Sequence, residues 1–98
     1  MAIRSYKDKA TLDIARAKNS KESRKILPLT LHGVARRRLA FLNAAQSLQD
    51  LSSRRGLRLH ALKDDRKGQH AISINDQYRV CFEWNGEDVE LVEITDYH

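Results

Sequence analysis

At Leu57 the apolar spacing of this chain changes period, and that change limits the folds open to it. Before it, Leu31, Val34, Ala35, Leu39, Leu42 and Ala45 recur at steps of three and four, which lines them along one stripe of a helix. After it the step is two. Leu57, Leu59 and Ala61 alternate with Arg58, His60 and Leu62; Ile72 and Ile74 with Ala71 and Ser73; Tyr78, Val80, Phe82 and Trp84 with Arg79, Cys81 and Glu83. Successive side chains of a strand point to opposite faces, so each run has one apolar side. Helices followed by strands make an α+β fold, with the helices covering one face of the sheet.

The boundaries follow from local chemistry. Ile3 to Tyr6 reads as a short first strand. Thr11 to Lys18 reads as a short helix with Thr11 as its cap, and Asn19 to Lys25 as a polar, basic loop. Leu27-Pro28 marks a break, because the residue before proline avoids helix. Ser47 to Arg55 reads as a turn or loose helical segment closed by Gly56. Asp64 to Gly68 is a loop, Asn75-Asp76 suits a two-residue turn, and Asn85-Gly86 is a strong hairpin signal. Val89 to Ile94 is the last strand. The expectation is a single domain over residues 1–98, with two N-terminal helices on one face of a mostly antiparallel sheet of four to five strands. Leu57, Leu59, Ile72, Ile74, Val80, Phe82 and Trp84 then face the helices. Arg58, His60, Ser73, Gln77 and Arg79 share the other face, and Tyr97 has its parity if Val92 and Ile94 point inward.

Charge is unevenly spread. Residues 1–67 hold 17 Lys or Arg against 6 Asp or Glu, and residues 68–98 hold 1 against 7, together the formal +5. A basic front suits an acidic partner, nucleic acid first, although a charged, solvated surface also keeps a small protein soluble. No apolar run approaches a membrane span, and residues 1–8 lack a signal-peptide pattern. The expected location is the cytoplasm. Cys81, the single cysteine, cannot form an internal disulfide and reads as a small buried hydrophobe. The histidines show no zinc-ligand spacing.

Two histidines, a lysine, an arginine and a tyrosine suit RNA cleavage without a metal. A base takes the ribose 2′-hydroxyl proton, the oxygen attacks the adjacent phosphorus, and an acid protonates the departing 5′-oxygen. Histidine serves either proton step near neutral pH. His60 and His98 are the candidates, and the Asp96 carboxylate near His98 favours imidazolium and an acid role. Arg79, a charge inside an apolar strand, suits the phosphate through its planar fork. Lys63 offers a second charge, and Tyr97 a ring or hydroxyl to orient a nucleotide. Each has a plainer reading: half-exposed strand residue, chain end, solvated loop lysine, or packing. Arg36, Arg37 and Arg38 read as a solvent-facing run able to touch phosphates, and His32 and His70 as structural.

The residues resemble a HigB-type toxin of the RelE/ParE toxin–antitoxin superfamily. The resemblance rests on Ile3-Arg4-Ser5-Tyr6, Leu57-Arg58-Leu59-His60-Ala61-Leu62-Lys63, Gly68 to Ile74, Gln77-Tyr78-Arg79-Val80-Cys81-Phe82, and Val92 to His98. It implies a RelE/ParE-like fold and a ribosome-dependent endoribonuclease that cuts translated mRNA without metal or cofactor. By the same resemblance, His60, Lys63, Arg79, Tyr97 and His98 are catalytic, and Arg58, Gln77 and Asp96 contact substrate. Many relatives carry Asn or Asp where this chain has Gln77. The implied partners are the ribosome with its mRNA and a HigA-type helix-turn-helix antitoxin that reaches operator DNA; no membrane is implied. Two alternatives remain: a gyrase-inhibiting toxin of the ParE branch, which lacks this histidine–lysine–tyrosine–histidine set, and a non-enzymatic RNA- or ribosome-binding module, which needs the basic surface but neither histidine.

Overall fold

Asp8, rather than Thr11, starts the first helix. In this computed structural model, which describes residues 1–96, α1 runs Lys9–Ala15 and the Asp8 carboxylate accepts the Thr11 N–H at 2.7 Å. Thr11 lies one turn inside and is fully buried. Its hydroxyl oxygen accepts the Ile94 N–H at 3.1 Å, tying helix to sheet. The stretch expected as a loop, Asn19 to Lys25, instead holds a helix, α2 (Lys21–Ile26), started by a reciprocal cap between Ser20 and Ser23. Such caps supply partners for the first free N–H groups of a helix. The Asp13 carboxylate accepts from Ser20 Oγ at 2.7 Å and from Lys9 Nζ at 2.8 Å, so α1 and α2 are joined through one side chain.

Leu27 turns extended ahead of Pro28, the break expected there. After a 3-10 turn, α3 runs His32–Ala44, with Ala35, Leu39 and Leu42 buried along the predicted stripe. His32 donates from Nε2 to the Leu27 carbonyl at 2.8 Å, a structural role. A short α4 (Leu48–Ser52) follows. The two expected helices are α1 and α3; α2 is a short addition, and α4 falls within the stretch read as a turn or loose helical segment.

The strand expected from Leu57 begins later. Arg55–Leu57 is a 3-10 turn and Arg58 is left-handed at φ 51°, which breaks extension. Only His60–Ala61 pairs, as β1. It leads to β2 (Gln69–Ser73), β3 (Arg79–Trp84) and β4 (Val89–Thr95), an antiparallel meander in the order β1-β2-β3-β4. Both tight connections use asparagine. Asn75 Oδ1 accepts the N–H of Gln77 and Tyr78, and Asn85 Oδ1 accepts that of Glu87 and Asp88. This side-chain turn makes the first connection longer than two residues. In the second, Gly86 takes φ 92°, which glycine adopts without strain.

The N-terminal segment completes the sheet. Ile3 and Tyr6 form parallel bridges to Val89 and Val92, covering the outer edge of β4, where unpaired backbone groups invite aggregation. The core lies between this sheet and the helices, with Ile14, Leu27, Leu42, Ile72, Val80, Phe82 and Val92 fully buried. Each such side chain contributes about 1.5–3 kcal/mol when buried. No helix among the described residues is long and apolar enough to cross a membrane.

Candidate functional site

The far face of the sheet carries two of the candidate residues, His60 and Arg79, and register sets their places. Across the strands, His60 pairs with Ala71, Ala71 with Cys81, and Cys81 with Glu93; in the next row Ser73 pairs with Arg79 and Arg79 with Thr95. Paired residues of an antiparallel sheet point to the same side. His60 and Arg79 therefore share a face, two strands apart and one row over, roughly 12 Å by strand and residue spacing.

That face has an apolar floor. Ala61 is exposed, whereas Leu62 folds onto Ala71 and Cys81 as a small second cluster. Arg66, in the 3-10 turn Asp64–Arg66, crosses the sheet and donates from Nη1 to Gln69 Oε1 at 3.1 Å and Glu93 Oε1 at 2.9 Å. Lys7 Nζ reaches the same Glu93 oxygen at 3.5 Å. Beneath this polar bridge, burial pushes the Cys81 thiol up to about 11.

The exposed His60 is held through its backbone neighbourhood. Its Nδ1 lies 2.9 Å from the Arg58 carbonyl. A carbonyl only accepts, so Nδ1 carries the proton, and the neutral ring then has its lone pair on Nε2. The left-handed turn at Arg58 precedes this contact. The Arg58 guanidinium meets Asp76 at 3.2 Å, an exposed pair of little energetic weight.

The half-buried Arg79 turns Nη1 back onto two main-chain carbonyls, those of Asn75 and of Tyr78. Gln77 Nε2 donates to Asp96 Oδ2 at 2.9 Å, so two of the residues expected to contact substrate hold each other beside the Arg79 row. Lys63 is exposed at the start of the 3-10 turn. Tyr97 and His98 lie outside the described residues. Arg37 is exposed as expected, but Arg38 is half-buried and donates from Nε to the Ser73 carbonyl at 2.9 Å.

His70, read as structural, sits on the core-facing side. Its ring stacks on Phe82 with centroids 5.9 Å apart, and Nδ1 has no hydrogen-bond partner among the described residues. Burial first, and the nearby His60 second, lower its pKa. No group of three or more His, Cys, Asp or Glu that could hold a metal ion occurs among the described residues.

Arg66, Glu93 and Asn75 escaped the sequence reading as parts of this face, whereas parity places Ser73 on it, paired with Arg79. Asn75 carried a turn signal, but nothing in its spacing linked it to Arg79.

The family described as a RelE-like toxin of type II toxin-antitoxin system HigB matches residues 5–98. Among curated proteins, Toxin HigB-1 of Vibrio cholerae is 35% identical over 60 residues, 61% of this chain and 63% of that protein, so the match spans less than two thirds of the relative's own length. With the family matched over nearly the whole chain, and with helices packed on an antiparallel sheet as such a fold requires, the chain belongs to the HigB-like family of RelE-like toxins.

Proposed function

We propose that this protein is a ribosome-dependent endoribonuclease that cuts translated mRNA and so arrests growth, and that a helix-turn-helix antitoxin silences it. The observation that carries the reading is the shared sheet face: an exposed imidazole with Nδ1 fixed on a carbonyl, and a guanidinium held in the neighbouring row. The chemistry assigned is general acid–base transfer within the RNA itself. His60 and His98 take and give the protons, forming the bond from the 2′-oxygen to phosphorus as the bond to the 5′-oxygen breaks. Arg79 and Lys63 balance charge on the phosphoryl oxygens. Tyr97 orients the nucleotide, and Arg58, Gln77 and Asp96 line the approach.

The basic residues of α2 and α3, exposed at Lys21, Arg24, Lys25 and Arg37, suit ribosomal RNA phosphates. Such contacts weaken steeply with salt.

Primer extension on mRNA from cells expressing the protein tests the reading. Cuts within translated codons, lost when the start codon is removed, support it. His60→Ala and His98→Ala should each lower cleavage by roughly 10²–10⁴-fold. Growth arrest that survives both substitutions, with folding and ribosome binding intact, overturns it. Co-expression with a neighbouring helix-turn-helix protein should restore growth.

A further inference from the structure

The connection between β2 and β3 is built around one residue. Asn75 Oδ1 accepts the N–H of Gln77 at 2.9 Å and of Tyr78 at 2.7 Å, and its own N–H reaches the Tyr78 carbonyl at 3.3 Å. Its carbonyl oxygen receives two donors, Ser73 Oγ at 2.8 Å and Arg79 Nη1. The Ser73 side chain is part of a residue only 4% exposed, and the Ser73 carbonyl is held in turn by Arg38 Nε of α3. A continuous set of bonds therefore runs from the helical layer through Ser73 and Asn75 to the guanidinium of Arg79.

We propose that Asn75 is a positioning residue for Arg79, braced by Ser73 and Arg38, and that it presents the Nε–Nη2 edge of the guanidinium to a phosphate of the bound RNA. Arginine has five N–H donors in a rigid plane. Here Nη1 is turned to the Asn75 and Tyr78 carbonyls. The plane of the group is then set, and the donors along its other edge form a fork that matches two phosphoryl oxygens. Without the Asn75 side chain the loop loses two of its bonds, and the carbonyl that holds Nη1 is no longer aimed. Asn75 touches no reacting atom in this scheme. Arg38 acts from still further back, so it serves geometry and not RNA affinity. The inference rests on the nuclease reading for its consequence, but the restraint on Arg79 is a property of the free protein.

Two measurements on the full chain separate these. The first is the NMR order parameter of the Arg79 Nε–Hε group in the free protein. It should be high in the wild type, fall in Asn75→Ala, and recover in Asn75→Asp, which keeps an Oδ acceptor. Ser73→Ala, which leaves the asparagine turn in place, should lower it partly and serves if Asn75→Ala does not fold. An unchanged Arg79 signal in both alanine variants overturns the proposal.

The second is single-turnover cleavage on translating ribosomes. Asn75→Ala should lower the rate at saturating ribosome by roughly 10- to 100-fold, the scale of a misplaced catalytic geometry, with the half-saturation concentration and its salt dependence unchanged. Asn75→Asp should restore most of the rate. A loss confined to affinity, an unaltered rate, or no rescue by aspartate also overturns it. If the wild type cuts no message while Arg79 still responds to Asn75, the nuclease reading falls and the positioning of Arg79 by Asn75 stands.

Discussion

Gln77 and Asp96 are 19 residues apart in sequence, yet the Gln77 amide donates to the Asp96 carboxylate at 2.9 Å. One lies in the connection before β3 and the other directly after β4. Their bond clips the end of β4 to the loop that holds Arg79.

Gln77→Leu removes this clip while leaving the turn, which depends on the Gln77 backbone N–H. Both side chains are exposed, so stability should change by less than about 1 kcal/mol. Cleavage by the ribosome-bound protein should fall by roughly tenfold, as positioning losses do. Equal rates for Gln77→Leu and wild type, measured at saturating ribosome, would show that the clip is without consequence.

Asp13 gives the fold an acid limit. The Lys9 and Ser20 hydrogen bonds, Lys9 first, hold its carboxyl below the ordinary carboxylate range. A depressed pKa means that the unfolded chain takes up the proton first. The contribution is complete above the unfolded value of about 3.9 and is lost as pH falls through the lower folded value. Asp13→Asn should therefore flatten the decline in urea midpoint on the acid side of that value. Ser20→Ala should cost about 1 kcal/mol at neutral pH as a lost helix cap. An acid limb equally steep in Asp13→Asn and wild type counts against this account.

His70 acts in the same direction at higher pH. Burial against Phe82, with His60 nearby, disfavours its imidazolium. Its folded pKa lies below the unfolded value of about 6.5, so its share of stability is complete above that value and declines as pH falls below it. His70→Leu should abolish that part of the pH dependence. Its thermal midpoints above and below pH ~6.5 should differ less than those of the wild type. Equal differences would assign the slope to another group.

The Cys81 thiol should be inert in the folded protein. It is fully buried, and burial holds it near 11. Only the thiolate reacts. Alkylation by iodoacetamide, followed by mass spectrometry, should be slow in buffer and rise sharply across the urea transition. Rapid labelling under native conditions would mean that the Leu62 and Arg66 cover opens readily.

Period and turn chemistry were local signals, and they were legible. The α3 stripe, the inward set from Ile72 to Phe82 and the hairpin at Asn85-Gly86 needed only neighbours three, four or two residues away. Strand parity likewise places His60 and Arg79 on one face, as the register has them. The failures share a cause. The helix Lys21–Ile26 is short and polar, and it stands because Asp13, on another helix, holds Ser20. Leu57 alternates like a strand residue, yet the left-handed Arg58 leaves only His60–Ala61 to pair. Thr11 looked like a cap until Ile94, 83 residues away, claimed its hydroxyl.

The sequence by itself determined the layers, the meander and the side of the sheet that carries the polar groups, because hydrophobic burial acts through periodicity. Only the tertiary structure decided that Arg66 bridges to Glu93, that Gln77 binds Asp96 and that Arg38, Ser73 and Asn75 converge behind Arg79. Hydrogen bonds between distant segments depend on distance and angle to within a fraction of an ångström. Residue order along the chain does not encode that geometry until the core has brought the segments together.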